Sequence, residues 1–184
     1  MLILTTPPVG EPLLLPDAKA ALRVETDADD ALIERMITVA RGHLERRLDL
    51  AFLSQAWTLS LASLPLTPVC LRPGRVARIT GGTVAYGEAE RPLVDAETRL
   101  IRGAPSRAKL DLPPSEDGAA LTALSLTFEA GWPDAASVPP ELIHALTLLV
   151  AHYYEERQLF AAGRYVPVPA TLQAHLEAFR EARL

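Results

Sequence analysis

The clearest pattern in the sequence is a wide apolar stripe between Ser137 and Phe160. Apolar residues recur there at three- and four-residue steps, as they do along the buried face of an α-helix. Ser137 can cap such a helix, and Pro139 and Pro140 fit its first turn. The apolar positions are Leu142, Ile143, Ala145, Leu146, Leu148, Leu149, Val150, Tyr153 and Tyr154. This stripe is wider than a surface helix needs, so we expect one side to pack in the chain's own core and the other against a neighbour.

Three other segments have the helical period. A short helix is predicted from Leu15 to about Val24, and a longer one from about Ala28 to Leu48. In the longer helix the apolar positions fall on one side and most arginines on the other. A last helix, from about Ala170 to Ala182, is marginal alone in water and must dock on another surface.

Between the longer helices the period changes to two, which is typical of half-buried strands. The alternation is clearest at Gln55–Leu61 and Leu121–Ala130. Gly81 and Gly82 are predicted to form a tight hairpin turn between two shorter strands. The shorter strands are predicted at Val69–Arg72, Val76–Thr80, Thr83–Tyr86, Thr98–Ile101 and Ala108–Leu110.

These elements predict an α+β fold: a helical bundle core of about four helices with an inserted small antiparallel β lobe. A chain of 184 residues is long enough for such a core. We divide it into four parts. They are an N-terminal arm and core helices (1–50), the β lobe (51–133), a long core helix (134–162), and a proline-rich arm with a C-terminal docking helix (163–184).

The net charge and the cysteine content argue against several functional classes. The formal net charge is −5 and there is no dense basic run. This argues against a protein that binds nucleic acid tightly through its phosphates. Cys70 is the single cysteine, so we expect no disulfide framework and no cysteine zinc site. The first residues have no basic start, and the run Leu142–Tyr154 is interrupted by histidines. We therefore expect a soluble protein with no signal peptide and no membrane partner.

Two groups of residues invite a metal-site interpretation. Glu141 and His144 have the Glu-x-x-His spacing of helical di-iron sites, but the other helices offer no matching pair. A helical metal-dependent enzyme that uses Glu141 and His144 stays open as an alternative. Asp27, Asp29 and Asp30 precede or begin a helix, where a capping role is favoured over cation binding.

Other catalytic signatures are missing. Ser54 and Cys70 lack the flanking residues of known nucleophile motifs, and the glycines never form a phosphate-binding spacing before a helix. We therefore expect no enzyme and no cofactor. Arg72, Arg75 and Arg78 are the nearest approach to a basic patch; a solvated face or inter-subunit salt bridges are favoured over phosphate contacts. A small DNA-binding module is the second alternative.

Several short segments, in order along the chain, resemble motifs of tailed-phage head–tail connector proteins. They are the "EP" opening at Glu11–Leu13 with Leu15–Val24, then Asp29–Ile33, Gln55–Leu59, Phe128–Trp132, Val138–Leu142 and Ala151–Arg157. On these matches the chain resembles the gp6-like connectors, or adaptors, of tailed phages and phage-derived gene-transfer agents, in the branch that carries a β lobe. Ala21 departs from the pattern, which commonly has histidine there.

The resemblance implies a structural role. It implies a ring of about twelve subunits beneath the portal protein, which joins the capsid to the tail. The ring would extend the DNA channel without binding DNA specifically, and would receive the next tail component, a stopper or tail terminator. It implies assembly in the bacterial cytoplasm and a final position in the neck of the virion or phage-like particle.

The candidate site residues are therefore interface residues. Leu149, Tyr153, Tyr154 and Arg157 are predicted to lie between neighbouring subunits, with the chain's own core as the open alternative for both tyrosines. The predicted portal-binding residues are Tyr165, Val166, Leu172, Leu176, Phe179 and Arg180.

Overall fold

A computed structural model of the chain describes residues 1–62, 69–93, 99–102, 108–111 and 121–156. The α-helices in these residues are α1 (Leu15–Leu22), α2 (Asp30–Leu48) and α3 (Pro140–Glu155). The strands are β1 (Leu2–Thr6), β2 (Gln55–Leu61), β3 (Val69–Leu71), β4 (Val76–Tyr86), β5 (Ala89–Pro92), β6 (Arg99–Arg102), β7 (Ala108–Asp111) and β8 (Leu121–Ala130). The predicted α+β class is confirmed. The described residues contain three α-helices rather than about four, and the helix predicted at 170–182 lies outside them.

The described elements group into two compact units. The first, which we call the sheet unit, comprises Met1–Val9 and Asp49–Pro133. The second, the helical unit, comprises Gly10–Leu48 and the segment that begins at Asp134. Each unit therefore combines two segments that are distant in sequence.

Strand β8 is at the centre of the sheet unit. The main sheet has the order β1-β2-β8-β4-β5 with antiparallel neighbours, and β3, β7 and β6 form a second, three-stranded sheet. Every second side chain of β8 is buried, namely Leu124, Leu126, Phe128 and Ala130. This alternation is the one the sequence predicts, because a strand with one face on a core exposes every other residue.

Strand β4 differs from the prediction. The two short strands expected on either side of Gly81 and Gly82 are one continuous strand, so the predicted hairpin turn is wrong. Gly82 pairs with Leu126 of β8, and a Cβ placed on Gly82 would lie 2.4 Å from the carbonyl oxygen of Ser125. The glycine is needed because the backbone of β8 approaches it closely, and not because the chain reverses there.

The N-terminal segment, which is part of the predicted N-terminal arm, is a paired edge strand. Leu2, Ile3 and Leu4 of β1 lie opposite Leu59, Thr58 and Trp57 of β2. The sequence did not indicate this pairing, because consecutive apolar residues in Leu2–Leu4 hide the period of two.

The helical unit is built on the apolar stripes of α2 and α3. The buried residues are Ile33, Ile37, Ala40, Leu44 and Leu48 on α2, and Leu142, Ala145, Leu146, Leu149 and Val150 on α3. Each fully buried leucine or isoleucine contributes about 1.5–3 kcal/mol to stability. No helix in the described residues has the length and apolar character needed to cross a membrane.

The start of α3 lies three residues beyond the predicted cap. Ser137 ends a short 3₁₀ helix, Ala135–Ser137, and its amide donates to the Asp134 carboxylate at 2.8 Å. The predicted cap by Ser137 is therefore wrong. Pro139 precedes α3, and its carbonyl oxygen accepts from the amides of Leu142 and Ile143.

Gly81 and Gly82, which are neighbours in β4, provide a test of the close approach between β4 and β8. Gly82→Ala forces a Cβ against the backbone of β8, so we expect a loss of about 2 kcal/mol or more in the free energy of unfolding. Gly81→Ala is the matched control, because a Cβ there meets nothing within 4 Å. Urea denaturation of both variants measures the difference. Equal stabilities would contradict the close packing of β4 on β8.

Candidate subunit interface

The predicted inter-subunit residues of α3 have different environments. Leu149 is fully buried within the chain's own fold, whereas Tyr153 and Tyr154 are half-buried at the C-terminal end of the helix. Arg157 lies outside the described residues. The predicted portal-binding residues, Tyr165, Val166, Leu172, Leu176, Phe179 and Arg180, also lie outside them. The interface assignment of all these residues stays a prediction.

Both tyrosines bind residues of the helical unit. The Tyr154 hydroxyl donates to Asp29 Oδ2 at 2.6 Å, and the backbone oxygen of Asp29 accepts from the first amides of α2. The Tyr153 hydroxyl lies 3.3 Å from His43 Nδ1. His43 is fourteen residues after Asp29, which corresponds to about 20 Å along a helix. The two adjacent tyrosines therefore reach in opposite directions along α2 and hold the end of α3 against it.

The Tyr153–His43 contact favours neutral partners. Burial lowers the pKa of His43, and the nearby charges of Arg46 and Arg47 lower it further. Burial also raises the pKa of Tyr153, despite the opposing effect of Arg46. At neutral pH the phenol is therefore protonated and the imidazole is uncharged. Such a pair forms a structural hydrogen bond and supplies neither a nucleophile nor a strong base.

A charged network that the sequence did not reveal joins the segment before α1 to α2. Arg41 Nε donates to Glu11 Oε2 at 2.6 Å, and Arg41 Nη1 donates to Glu45 Oε2 at 2.8 Å. Thr38 Oγ1 donates to Glu11 Oε1 at 2.9 Å. The Arg41 side chain is only 12% exposed, so its charge depends on these carboxylates. The spacing of Arg41 and Glu45 was the available signal, since residues four apart share a helix face.

The arginines of the possible basic patch have partners within the sheet unit. Arg78 donates two hydrogen bonds to Glu129, at 2.9 and 2.7 Å, and Arg72 pairs with Asp49. The Arg75 guanidinium lies 4.8 Å from the centre of the Trp132 ring, in a cation–π contact. These pairs are within the chain rather than between subunits, and they reduce the positive charge that a phosphate would meet. Trp132 itself is buried.

The residues considered as metal ligands are either exposed on one helix or already bonded to other side chains. Glu141 and His144 are both exposed on α3. Lys19 pairs with Asp27 at 2.7 Å and with Asp30 at 2.6 Å, while Asp29 accepts the bond from Tyr154. Within the described residues, no group of three or more histidine, cysteine, aspartate or glutamate side chains has a metal-binding arrangement.

Two comparisons bear on identity. Residues 13–67 match the family model described as "Phage gp6-like head-tail connector protein". The whole chain is also similar to a chain in the structure "Neck of empty GTA particle computed with C6 symmetry", where GTA denotes a gene transfer agent. The identity is 27%, the TM-score is 0.78, and the match covers 100% of this chain and 97% of that one. The predicted resemblance to the gp6-like head–tail connectors is confirmed.

Two further structures share the connector fold. A chain in "Virion of native gene transfer agent (GTA) particle" is 24% identical, with a TM-score of 0.78, and covers 100% of this chain and 97% of that chain. A chain in "Neck of native GTA particle computed with C12 symmetry" is 24% identical, with a TM-score of 0.69, over 99% and 97% of the two chains. Comparison with curated proteins finds no match. The family and the neck structures point to a structural protein.

His43 should make stability depend on pH. Because its pKa in the folded chain lies below the ordinary value of 6.5, protonation favours the unfolded chain. The stability that the chain gains from the lowered pKa of His43 is fully present above about pH 6.5. It is lost as the pH falls toward the folded-state pKa. We expect His43→Gln to flatten the fall in melting temperature between about pH 6.5 and 5. The exposed His144→Gln is the control, and identical pH profiles for wild type and His43→Gln would contradict the assignment.

The Arg41 network should stabilise the fold more than the exposed ion pair of Arg78. Arg41→Ala removes the mostly buried guanidinium to which Glu11 and Glu45 both accept hydrogen bonds, so we expect a loss of about 2 kcal/mol in the free energy of unfolding. The Arg78 side chain is 69% exposed, so water screens its ion pair with Glu129, and Arg78→Ala should change stability much less than Arg41→Ala does. Chemical denaturation of both variants checks this order, and the reverse order would contradict it.

Proposed function

We propose that this chain is a structural head–tail connector. Copies of it form a ring of about twelve subunits beneath the portal protein, extend the DNA channel and join the capsid to the tail. The observation that carries the proposal is the likeness to a gene transfer agent neck chain over the full length of both chains, together with the family match at residues 13–67. The chain acts in the neck of a virion or phage-like particle, is assembled in the bacterial cytoplasm, and has no catalytic role.

The charge distribution supports a channel that lets DNA pass. A net charge of −5 gives little general attraction for phosphates, and Arg72 and Arg78 are each paired with a carboxylate. A conduit that bound DNA tightly would slow its passage. We therefore infer that DNA is a transient neighbour and not a ligand of this chain.

The helical unit offers surfaces for ring contacts. A closed ring needs two different, complementary surfaces on each subunit. Val39 on α2 and Leu14 before α1 are each 57% exposed, which is high for large apolar side chains. Tyr153 and Tyr154 are each partly exposed at the end of α3. We propose that the two tyrosines and Arg157 lie at one ring contact; Leu149 supports them from inside the fold.

The C-terminal segment is proposed to bind the portal. The sequence pattern of residues 170–182 puts Leu172, Leu176 and Phe179 on one helical face, and Tyr165, Val166 and Arg180 belong to the same segment. A proline-rich stretch followed by a marginal helix is typical of an arm that orders on a partner. The partner on the opposite side of the ring is the next tail component, a stopper or tail terminator.

Attachment to portal-bearing capsids tests the proposal. We expect wild-type protein to co-sediment with capsids that lack it, and a change of Leu172, Leu176 and Phe179 to serine to reduce attachment more than about tenfold through lost apolar contact. The matched control changes Gln173, Glu177 and Glu181, on the opposite face of the predicted helix, to serine.

Two results would contradict the proposal. Unchanged attachment of the apolar-face variant would exclude the portal-binding segment but not the ring. Failure of the wild-type chain to join any capsid, or particles that assemble normally without it, would exclude the connector function. Rotational symmetry in electron micrographs of the attached protein gives the number of subunits.

A further inference from the structure

Among the described residues, the outer edge of β1 has no backbone hydrogen-bonding partner. The amino group of Met1 donates to the Ser60 oxygen at 2.6 Å, and the Ser60 amide donates to the Met1 oxygen at 2.8 Å, so Met1 and Ser60 are a hydrogen-bonded pair. Bonded and non-bonded pairs alternate along an antiparallel ladder. Ile3 therefore bonds to Thr58, whereas the amides and carbonyls of Leu2 and Leu4 point away from β2. No strand in the described residues pairs with that outer edge.

The side chains of β1 are apolar and unusually exposed. Leu2, Ile3 and Leu4 are 40%, 45% and 40% exposed. Leu2 and Leu4 lie opposite Leu59 and Trp57, on the core side of the sheet, and would be covered if the sheet continued by one strand. Residues 1–9 contain no charged side chain. Charges and internal prolines, two of the usual protections of an edge strand, are therefore missing from Leu2–Thr6, and the remaining irregularity is a shift of register between Leu4 and Thr6.

The opposite edge of the main sheet is protected. Strand β5 is four residues long and contains Glu90, Arg91 and Pro92. Proline has no amide to donate, and charged side chains on an edge discourage the addition of a strand. The two edges of one sheet thus differ in the features that decide whether another strand can add.

We propose that β1 is the docking site for an extended segment of a second, different neck protein, which adds as a sixth strand to the main sheet. Such a segment has no charged side chains opposite Leu2–Thr6, because that strand has none to pair with them, and has alternating apolar residues that cover Leu2 and Leu4. Main-chain bonds to Leu2 and Leu4 provide the affinity, and the two leucines select the apolar side chains.

A second copy of this chain is the less suitable occupant. This step rests on the proposed ring. Pairing of β1 with β1 of another copy has twofold symmetry and closes after two chains, whereas a ring needs unlike surfaces. Pairing of β1 with the protected edge of β5 would place Pro92 and charged residues against an apolar strand. The chemistry of both edges therefore favours a different polypeptide.

Hydrogen exchange provides the direct test. In the purified wild-type chain we expect the amides of Leu2 and Leu4 to exchange rapidly, because they face solvent. In neck-containing particles assembled with this chain, exchange at both amides should slow by at least about tenfold, while that of Ile3 changes less. Equal exchange at Leu2 and Leu4 in the two states would overturn the proposal.

A matched pair of variants tests the function of the edge. Leu4→Pro removes an amide that points outward and spares the bonds to β2, so its melting temperature should stay near that of wild type while the amount of the second neck protein held on the particle falls at least about tenfold. Val9→Pro, at a 96% exposed position outside the strand, is the control. Normal retention by a folded Leu4→Pro chain would overturn the proposal.

The outcomes separate this inference from the connector function. If Leu4→Pro still forms rings on capsids but loses the next component, both proposals are supported. If wild-type chains form particles with unprotected β1 amides, the edge proposal fails and the connector function stands. If purified wild-type chains dimerise and Leu4→Pro abolishes the dimer, the occupant is a second copy and the proposal is wrong.

Discussion

The sheet unit depends on the burial of one face of β8. This strand has hydrogen-bonded neighbours on both edges, and its alternate residues from Leu124 to Ala130 form the centre of the core. Strands β2 and β4 have their positions because they pair with β8, and β1 and β5 pair in turn with those two strands. A shift of one residue in β8 would turn its buried face to solvent, so the registers of the neighbouring strands are tightly determined.

The polar contacts serve to hold elements together. Tyr154 ties the end of α3 to the start of α2, Glu11 ties the segment before α1 to Arg41, and Arg78 ties β4 to Glu129 of β8. A groove of about 450 Å³ at one end of the sheet is lined mainly by small side chains, with Glu90 as the ionisable residue among its described walls.

Local sequence patterns predicted most of the fold, but they could not predict contacts between residues that are distant in sequence. The helices and β8 were predictable because apolar periods of 3.6 and two record burial directly. Gly81 and Gly82 were misread, since a glycine required by the approach of another strand looks in sequence like a glycine required by a turn. The partners of Arg72 and Arg78 lie 23 and 51 residues away, and no local pattern records such pairs. The likeness to connectors was visible because it spans several ordered segments, whereas the exposed edge of β1 needed the paired strands.

The division of the chain into two units has a consequence for its synthesis. The polypeptide passes from one unit to the other three times, after Val9, after Leu48 and after Pro133. Strand β1 is synthesised before the other strands of its sheet and cannot enter a complete sheet until β8 follows more than a hundred residues later. The helices α1 and α2 likewise lack their packing partner until α3 has been synthesised. Neither unit can mature as an early, independent piece, so the chain folds late and through contacts between distant segments, which is slow. During that interval its apolar N-terminal strand is unpaired, and an unpaired apolar strand is prone to aggregation.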